Sequence, residues 1–225
     1  MELPFDRELH ELNERLLTMG SLAEQAVHRA LQAFQTRDAT LAAQVRDSDN
    51  VLDRLEVEVD ERAMVLLSKA PLARDLRMVT MAMKISQNLE RIGDEAAKIA
   101  KRARALAHEP PVRLDVDLTP LALEARSMLK ASLDAFVQRN PEAARALIPR
   151  DQGVDVAHKS IREKLVAHMQ ARPETIPQCL EVLTVAKCLE RIADHATNIA
   201  EDVVYLCEAT DIRHVGKAAA DTTGS

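Results

Sequence analysis

Acidic residues stand four apart at four places in this 225-residue chain: Asp49 and Asp53, Glu90 and Asp94, Asp151 and Asp155, Glu190 and Asp194. On a helix that spacing stacks the two side chains of a pair on one face, one turn apart. Like charges so placed repel, and something has to compensate them. A bound cation is one answer, because carboxylate oxygens suit hard or borderline metal ions. The plainer answer is a solvated acidic stripe balanced by Lys and Arg, and a single pair would point no further. One turn beyond the later pair in each half the sequence differs. Asn198 offers a neutral carbonyl oxygen, whereas Lys98 brings a cation, so the second set is expected to take a metal more readily. His195 stands beside the second set as a further candidate ligand.

Composition says which elements carry these residues. Hydrophobic residues make up 47% of the chain and charged residues 29%, the balance of a globular protein. Aromatic residues are only 2%, with no Trp and one Tyr, and Gly occurs five times. Sheets lean on aromatic and β-branched side chains, while helices pack well with Leu, Ala, Ile and Met. The expectation is an all-α fold.

The chain also repeats itself. LERIGDEAAKIA at 89–100 and LERIADHATNIA at 189–200 agree at eight of twelve positions, 100 residues apart. LQAFQTRD at 31–38 matches LDAFVQRN at 133–140, and Asp49/Asp53 match Asp151/Asp155, both 102 residues apart. Three matches in one order indicate duplication. The copies divide near Pro110-Pro111, which cannot continue a helix. We therefore read residues 1–110 and 111–212 as tandem, pseudo-symmetric three-helix bundles, six long helices in all, followed by a flexible tail at 213–225.

Within the copies the spacing predicts helices over 5–35, 39–68 and 72–108, then 120–138, 141–170 and 174–210. Thr119-Pro120 and Asn140-Pro141 each place a capping side chain before a proline, Asp38 fills the cap equivalent to Asn140, and Pro71 and Pro173 start the third helices. Along the third helices Ala82, Ile85, Leu89, Ile92, Ala96, Ile99, Ala103 and Leu106 recur at alternate threes and fours. So do Val185, Leu189, Ile192, Ala196, Ile199, Val203 and Leu206, an apolar seam of the coiled-coil kind. Helices of this length make rods ~45 Å long, and two rods side by side are the simplest assembly. In each hairpin the two acidic pairs lie at nearly equal distance from the turn, so four carboxylates converge per copy. With the seam inward, Glu90 and Asp94 face broadly away from the core.

Several functions are excluded. A net charge of −6 argues against nucleic acid as the main partner. No apolar run approaches the ~20 residues that cross a bilayer. The acidic start MELPFDRELHEL is not a secretory signal, which points to the cytoplasm. Cys179, Cys188 and Cys207 lack metal or redox spacing and read as small buried hydrophobes. A di-iron bundle needs two Glu-x-x-His elements, and only Asp155-x-x-His158 comes near. His195 is a formal phosphotransfer candidate with nothing to support it. No phosphate-binding loop, nucleophile elbow or zincin motif occurs, so no catalytic or cofactor-binding residue is assigned.

The duplicated LERIGDEAAKIA and LERIADHATNIA, with ALAHEPP between the copies and AEDVVYLCEATDIRH near the end, resemble the PhoU family over nearly the whole chain. The family's E(D)xxxD motif falls on Asp49/Asp53, Glu90/Asp94, Asp151/Asp155 and Glu190/Asp194, and the Asn that follows it falls on Asn198. Lys98 departs from that pattern. The resemblance implies two three-helix bundles, a homodimer and, in some members, bound iron, zinc, manganese or magnesium. It further implies a cytoplasmic negative regulator of phosphate uptake and of phosphate-starvation genes. Such a regulator contacts the ATPase subunit of the phosphate ABC transporter and the phosphate-sensing histidine kinase, and meets the membrane only through them. The competing reading is a helical bundle for metal storage or metal-dependent phosphate handling.

Overall fold

Helix ends in this protein follow capping chemistry that the two copies share. The computed structural model describes residues 4–110, 112 and 114–213. Its first helix, α1 (Pro4–Thr36), stops where Arg37 turns left-handed at φ 53°, and the Asp38 amide donates back to the Ala33 carbonyl at 3.0 Å. Asp38 then caps α2 (Ala39–Leu67), its Oδ1 accepting from the amides of Thr40 at 2.8 Å and Leu41 at 3.0 Å. The second copy repeats this turn. After α4 (Thr119–Gln138), Arg139 has φ 49°, Asn140 N donates to the Ala135 carbonyl at 3.0 Å, and Asn140 Oδ1 caps α5 (Pro141–Leu147) through Ala143 N at 3.0 Å. This is the left-handed helix stop with its six-to-one hydrogen bond, passing straight into the next cap.

Other boundaries differ from expectation. Thr119 lies inside α4, and it is Asp117 that accepts from the Thr119 amide at 2.8 Å. The third helices start past their prolines: α3 spans Ala73–Ala107, and Pro173–Thr175 form a 3-10 turn before α7 (Ile176–Glu208). The helix expected over 141–170 is broken into α5 and α6 (Arg150–Ala171). Pro149 causes the break, since it has no N–H and its ring collides with the carbonyl four residues back. Asp47 occupies the equivalent place in the first copy, and α2 runs through unbroken. The six expected helices are thus present, one in two pieces. Among the described residues there is no strand. The expected flexible tail lies, beyond Arg213, outside the described residues.

Every apolar seam residue named from the sequence is buried, from Ala82 to Leu106 and from Val185 to Leu206. In the first bundle α3 packs on α1 and α2, and in the second α7 packs on α4, α5 and α6. The two bundles then meet through α3 and α7 themselves. Pairs across that contact run in opposite senses: Lys84 with Asp202, Asn88 with His195, Glu95 with Arg191, Arg102 with Glu181. The helices are antiparallel, so the hairpin tips of the two bundles lie at opposite ends of the molecule. The expected picture of two rods side by side needs one amendment, because the buried side chains form a single cluster across both.

Glycine marks where helices come closest. A Cβ on Gly93 would stand 2.5 Å from Leu52 Cδ1, a side chain with 0% exposure, and 3.2 Å from Asp49 Oδ1. A Cβ on Gly153 would meet nothing within 4 Å. We expect Gly93→Val to lower unfolding stability by about 2–3 kcal/mol through overpacking, and Gly153→Ala to raise it by about 0.5–1 kcal/mol through helix propensity. Urea denaturation midpoints at neutral pH measure both; equal effects of the two changes would contradict this packing.

Candidate functional site

The duplicated hairpins bring the acidic pairs together. Asp49 and Asp53 sit midway along α2 facing Glu90 and Asp94 on α3, while Asp151 and Asp155 open α6 facing Glu190 and Asp194 on α7. The electrostatics record the meeting. Burial, then Asp53 and Asp94, push the Asp49 carboxyl up to about 6 against an opposing pull from Lys98. Burial, then Glu190, Asp151 and Asp155, push Asp194 up to about 6, opposed by Lys187. Glu90 is raised by burial and by Asp94, Glu56 and Asp53, with Arg91 opposing. Each copy therefore holds carboxylates from both helices within range of one another.

They are less exposed than the helical angles suggested. Glu190 is buried at 8%, Asp49, Glu90, Asp94, Asp151 and Asp194 are half-buried, and Asp53, Asp155 and Asn198 are exposed. The reason is crowding: α3 and α7 have neighbours on several sides, so positions one step off the apolar seam still lie under another helix. Asp49 Oδ1 is buried with no hydrogen-bond partner, tucked over the bare backbone of Gly93. Among the described residues, however, no group of three or more His, Cys, Asp or Glu side chains is gathered closely enough to hold one metal ion.

Lysines occupy part of the space between the carboxylates. Lys98 Nζ lies 3.0 Å from Glu95 Oε1 and 3.7 Å from Asp94 Oδ2. Lys187, which sequence reasoning missed, holds Glu190 through both oxygens at 2.6 and 2.5 Å. Its three-residue spacing to Glu190 on one helix was the available signal. The counterpart of Lys187 is Gln87 and that of Lys98 is Asn198, so each copy has one lysine, at opposite ends of its row.

Between the two rows lies the α3–α7 contact, with a buried carboxylate at its heart. Glu95, 4% exposed, receives hydrogen bonds on Oε1 from Lys98 at 3.0 Å and from Arg191 at 3.3 Å, the Cys188 thiol lies close enough to influence it, and its Oε2 is buried without a hydrogen-bond partner. Burial alone would raise its pKa, and these donors together hold it below the usual range. The same burial and the same carboxylate push the Cys188 thiol up to about 12, which leaves it a protonated donor. The mirror-related pair is His195 Nδ1 with Asn88 Oδ1 at 3.0 Å, and Asn198 Nδ2 approaches the same oxygen at 3.5 Å. Burial lowers the His195 pKa against an opposing pull from Glu95, and its ring is turned to α3 across the contact. A groove of about 1120 Å³ runs over this contact, lined by Asp94, Glu95 and Lys98 on one side and Asp151, Asp155 and Asp194 on the other.

With the fold and the rows in view, comparison with known proteins is informative. The family model described as "PhoU domain" matches residues 16–103 and again 118–203. The chain is similar to the phosphate-specific transport system accessory protein PhoU homolog of Pseudomonas aeruginosa, 37% identical over 214 residues, covering 94% of this chain and 88% of that protein. The Escherichia coli accessory protein PhoU is 34% identical, with 94% and 88% covered. Among solved structures, PhoU from P. aeruginosa superposes with a TM-score of 0.88 at 37% identity, covering 92% of this chain and 100% of that one. The phosphate transport system regulatory protein PhoU from Streptococcus pneumoniae gives a TM-score of 0.85 at 29% identity, covering 92% and 99%.

The raised carboxyls carry a stability consequence of definite sign. A carboxyl near 6 in the folded chain and 3.8 in the unfolded one opposes folding once both are ionised, so the penalty grows as pH rises between those values. Asp49→Asn and Asp194→Asn should each raise the melting temperature at pH 8 in chelator, and the gain should vanish by about pH 4. Thermal melts across that range test it; a gain that is constant with pH would show that charge is not its cause.

Proposed function

This chain belongs to the PhoU family, and we propose that it is a noncatalytic, cytoplasmic accessory of a phosphate transport system that restrains uptake and represses phosphate-starvation genes when phosphate is plentiful. In this reading it is an adaptor. It binds the ATPase subunit of a phosphate ABC transporter and a phosphate-sensing histidine kinase, and it works as a homodimer. The observation that carries the reading is the occurrence of the family's domain in both halves, in a chain that covers most of relatives named for accessory roles in phosphate transport. Long helices with open outer faces suit docking to other proteins. No helix among the described residues is long and apolar enough to cross a membrane, which agrees with recruitment by partners.

A metal ion is the second part of the proposal. The donor chemistry fits a hard or borderline cation such as iron, zinc, manganese or magnesium: carboxylate oxygens in excess of their counter-charges, one of them, on Asp49, buried and unbonded. Asp49, Asp53, Glu90 and Asp94 would hold an ion in the first copy, and Asp151, Asp155, Glu190, Asp194 and Asn198 in the second, only once their side chains turn toward a common point, since as they stand no three are gathered closely enough. The ion would supply the positive charge these rows lack, and each lysine competes with it.

Two experiments test the proposal. Deletion of the gene should release starvation-gene expression in phosphate-rich medium, and affinity purification from detergent extracts should recover the ATPase subunit or the kinase. Unchanged repression with recovery of neither would sink the adaptor. For the metal, Lys98→Asn and Lys187→Gln, each borrowing the residue of the other copy, should strengthen Mn²⁺ binding on the order of tenfold by removing a nearby like charge. Titration calorimetry reads this directly; weaker or unchanged binding in both would detach the lysines from any metal.

A further inference from the structure

Past the acidic row of the first copy, toward the start of α2 and the end of α3, basic residues gather instead. A concave pocket of about 470 Å³ lies between the two helices there. Its small side chains are alanines, Ala42 and Ala43 from α2 and Ala97 and Ala100 from α3, and they leave the space open. Around them stand Arg46, Lys101 and Arg104. All three are exposed, and none forms an ion pair or a side-chain hydrogen bond with any described residue. With Lys98, the α3 members put cations at 98, 101 and 104, each three residues from the next. Like charges so spaced on a helix repel. In a chain of net charge −6, uncompensated cations around a hollow focus an attractive field for an anion.

Acids are near, and they decide where an anion can sit. Asp49 and Asp94 line the same pocket, at the end that adjoins the acidic row. Lys98 already serves Glu95 at 3.0 Å and Asp94 at 3.7 Å. Because α2 and α3 form a hairpin, Arg46, Lys101 and Arg104 lie beyond that end, nearer the start of α2. Asp38 is engaged there in capping α2, and Asp47, beside Arg46 in sequence, does not line the pocket. The negative end of the α3 dipole accounts for Arg104 in its last turn, but not for Lys101 or Arg46. The duplication supplies a control. Ile148, Glu201 and Val204 stand where the first copy has Arg46, Lys101 and Arg104. Arg145, in the place of Ala43, is tied to Glu208. A bundle of this kind therefore closes without the three free cations.

We propose that this pocket of the first bundle binds a phosphate-type oxyanion, held by the Arg46 and Arg104 guanidinium groups of facing helices together with the Lys101 ammonium. A guanidinium offers paired N–H donors that match phosphate oxygens, and a lysine adds a point charge. The ion is inorganic phosphate or the phosphate of a small metabolite, since the donors serve both alike. Exposed, solvated cations give an affinity on the order of 1 mM. This goes beyond the adaptor reading, in which phosphate reaches the chain only through its partners, and neither claim depends on the other.

Titration calorimetry of the full chain with inorganic phosphate and with AMP tests this, in chelator and with ionic strength held constant by chloride. Chelator removes any metal that could bridge a ligand to the acidic row. Inorganic phosphate binding at least as tightly as AMP assigns the pocket to the free ion. Tighter binding of AMP assigns it to a phosphate carried on a small molecule. In either case Arg46→Ser and Arg104→Ser should each weaken binding about tenfold, the loss of one charged hydrogen-bonding group. Arg74→Ser, at the other end of α3, should leave it unchanged. Circular dichroism melts confirm that each variant folds. No saturable binding of either ligand below about 20 mM would overturn the proposal. So would binding that survives both pocket changes, or an equal loss from Arg74→Ser, which would reduce it to general attraction by the chain's basic residues.

Discussion

The contact between α3 and α7 holds the two bundles in one body, and Glu95 is its pivotal group. A carboxylate at 4% exposure has lost its water, and only good partners make that tolerable. Here the two hydrogen-bonding partners come from both helices, Lys98 from its own and Arg191 from the other, both on Oε1, while Oε2 is buried without one. Losing one partner of such a buried cluster costs about 3–5 kcal/mol in proteins generally, because a charge is left unmatched. One of these donors also reaches the first acidic row. Lys98 lies 3.7 Å from Asp94 while holding Glu95 at 3.0 Å. The buried charge cluster between the bundles and the charge balance of the first row thus share Lys98.

Duplication provides the molecule's own comparison, because one fold is built twice from different residues. What both copies retain is what the architecture demands: the left-handed stop at Arg37 and Arg139, the caps at Asp38 and Asn140, and the apolar seams. Where the copies part, the reasons are local. Pro149 breaks a helix that Asp47 lets run on, and Gly93 admits Leu52 and Asp49 where the second copy has the buried Ala193. Across the inter-bundle contact the related positions trade roles, so that Glu95 meets Cys188 while His195 meets Asn88.

Much of this was legible in the sequence, and the exceptions have physical causes. Seam residues such as Ile92 and Ile199 were readable because period and burial coincide along a helix. The meeting of Asp49 with Asp94 followed from counting residues on either side of one hairpin turn. The break at Pro149 was signalled by the proline itself, and the surrounding helical pattern masked it. Thr119 resembled a cap because a proline followed, yet Asp117 bound the free amide first. The depth of Glu190 and Glu95 was not legible. A helical wheel assigns one inward face, and these helices are covered on several, a fact that belongs to the assembly of two bundles rather than to either helix.

That crowding also bears on why the acidic rows exist. An exposed acidic pair is nearly free of penalty, since water and salt screen it. Half-buried beneath a second helix, the same pair is not, and Asp49 and Asp194 near 6 record the difference. A fold selected for stability alone would place enough basic residues to cancel the rows or replace the acids with neutral ones. This chain places Lys98 and Arg91 against the first row, Arg91 3.3 Å from Glu90 and 3.5 Å from Asp94, and Lys187 against the second. Each row is left partly neutralised twice over, by different residues in the two copies. Residual negative charge in partly desolvated places is costly, and its recurrence by two routes favours a role in holding a cation over an accident of helix composition.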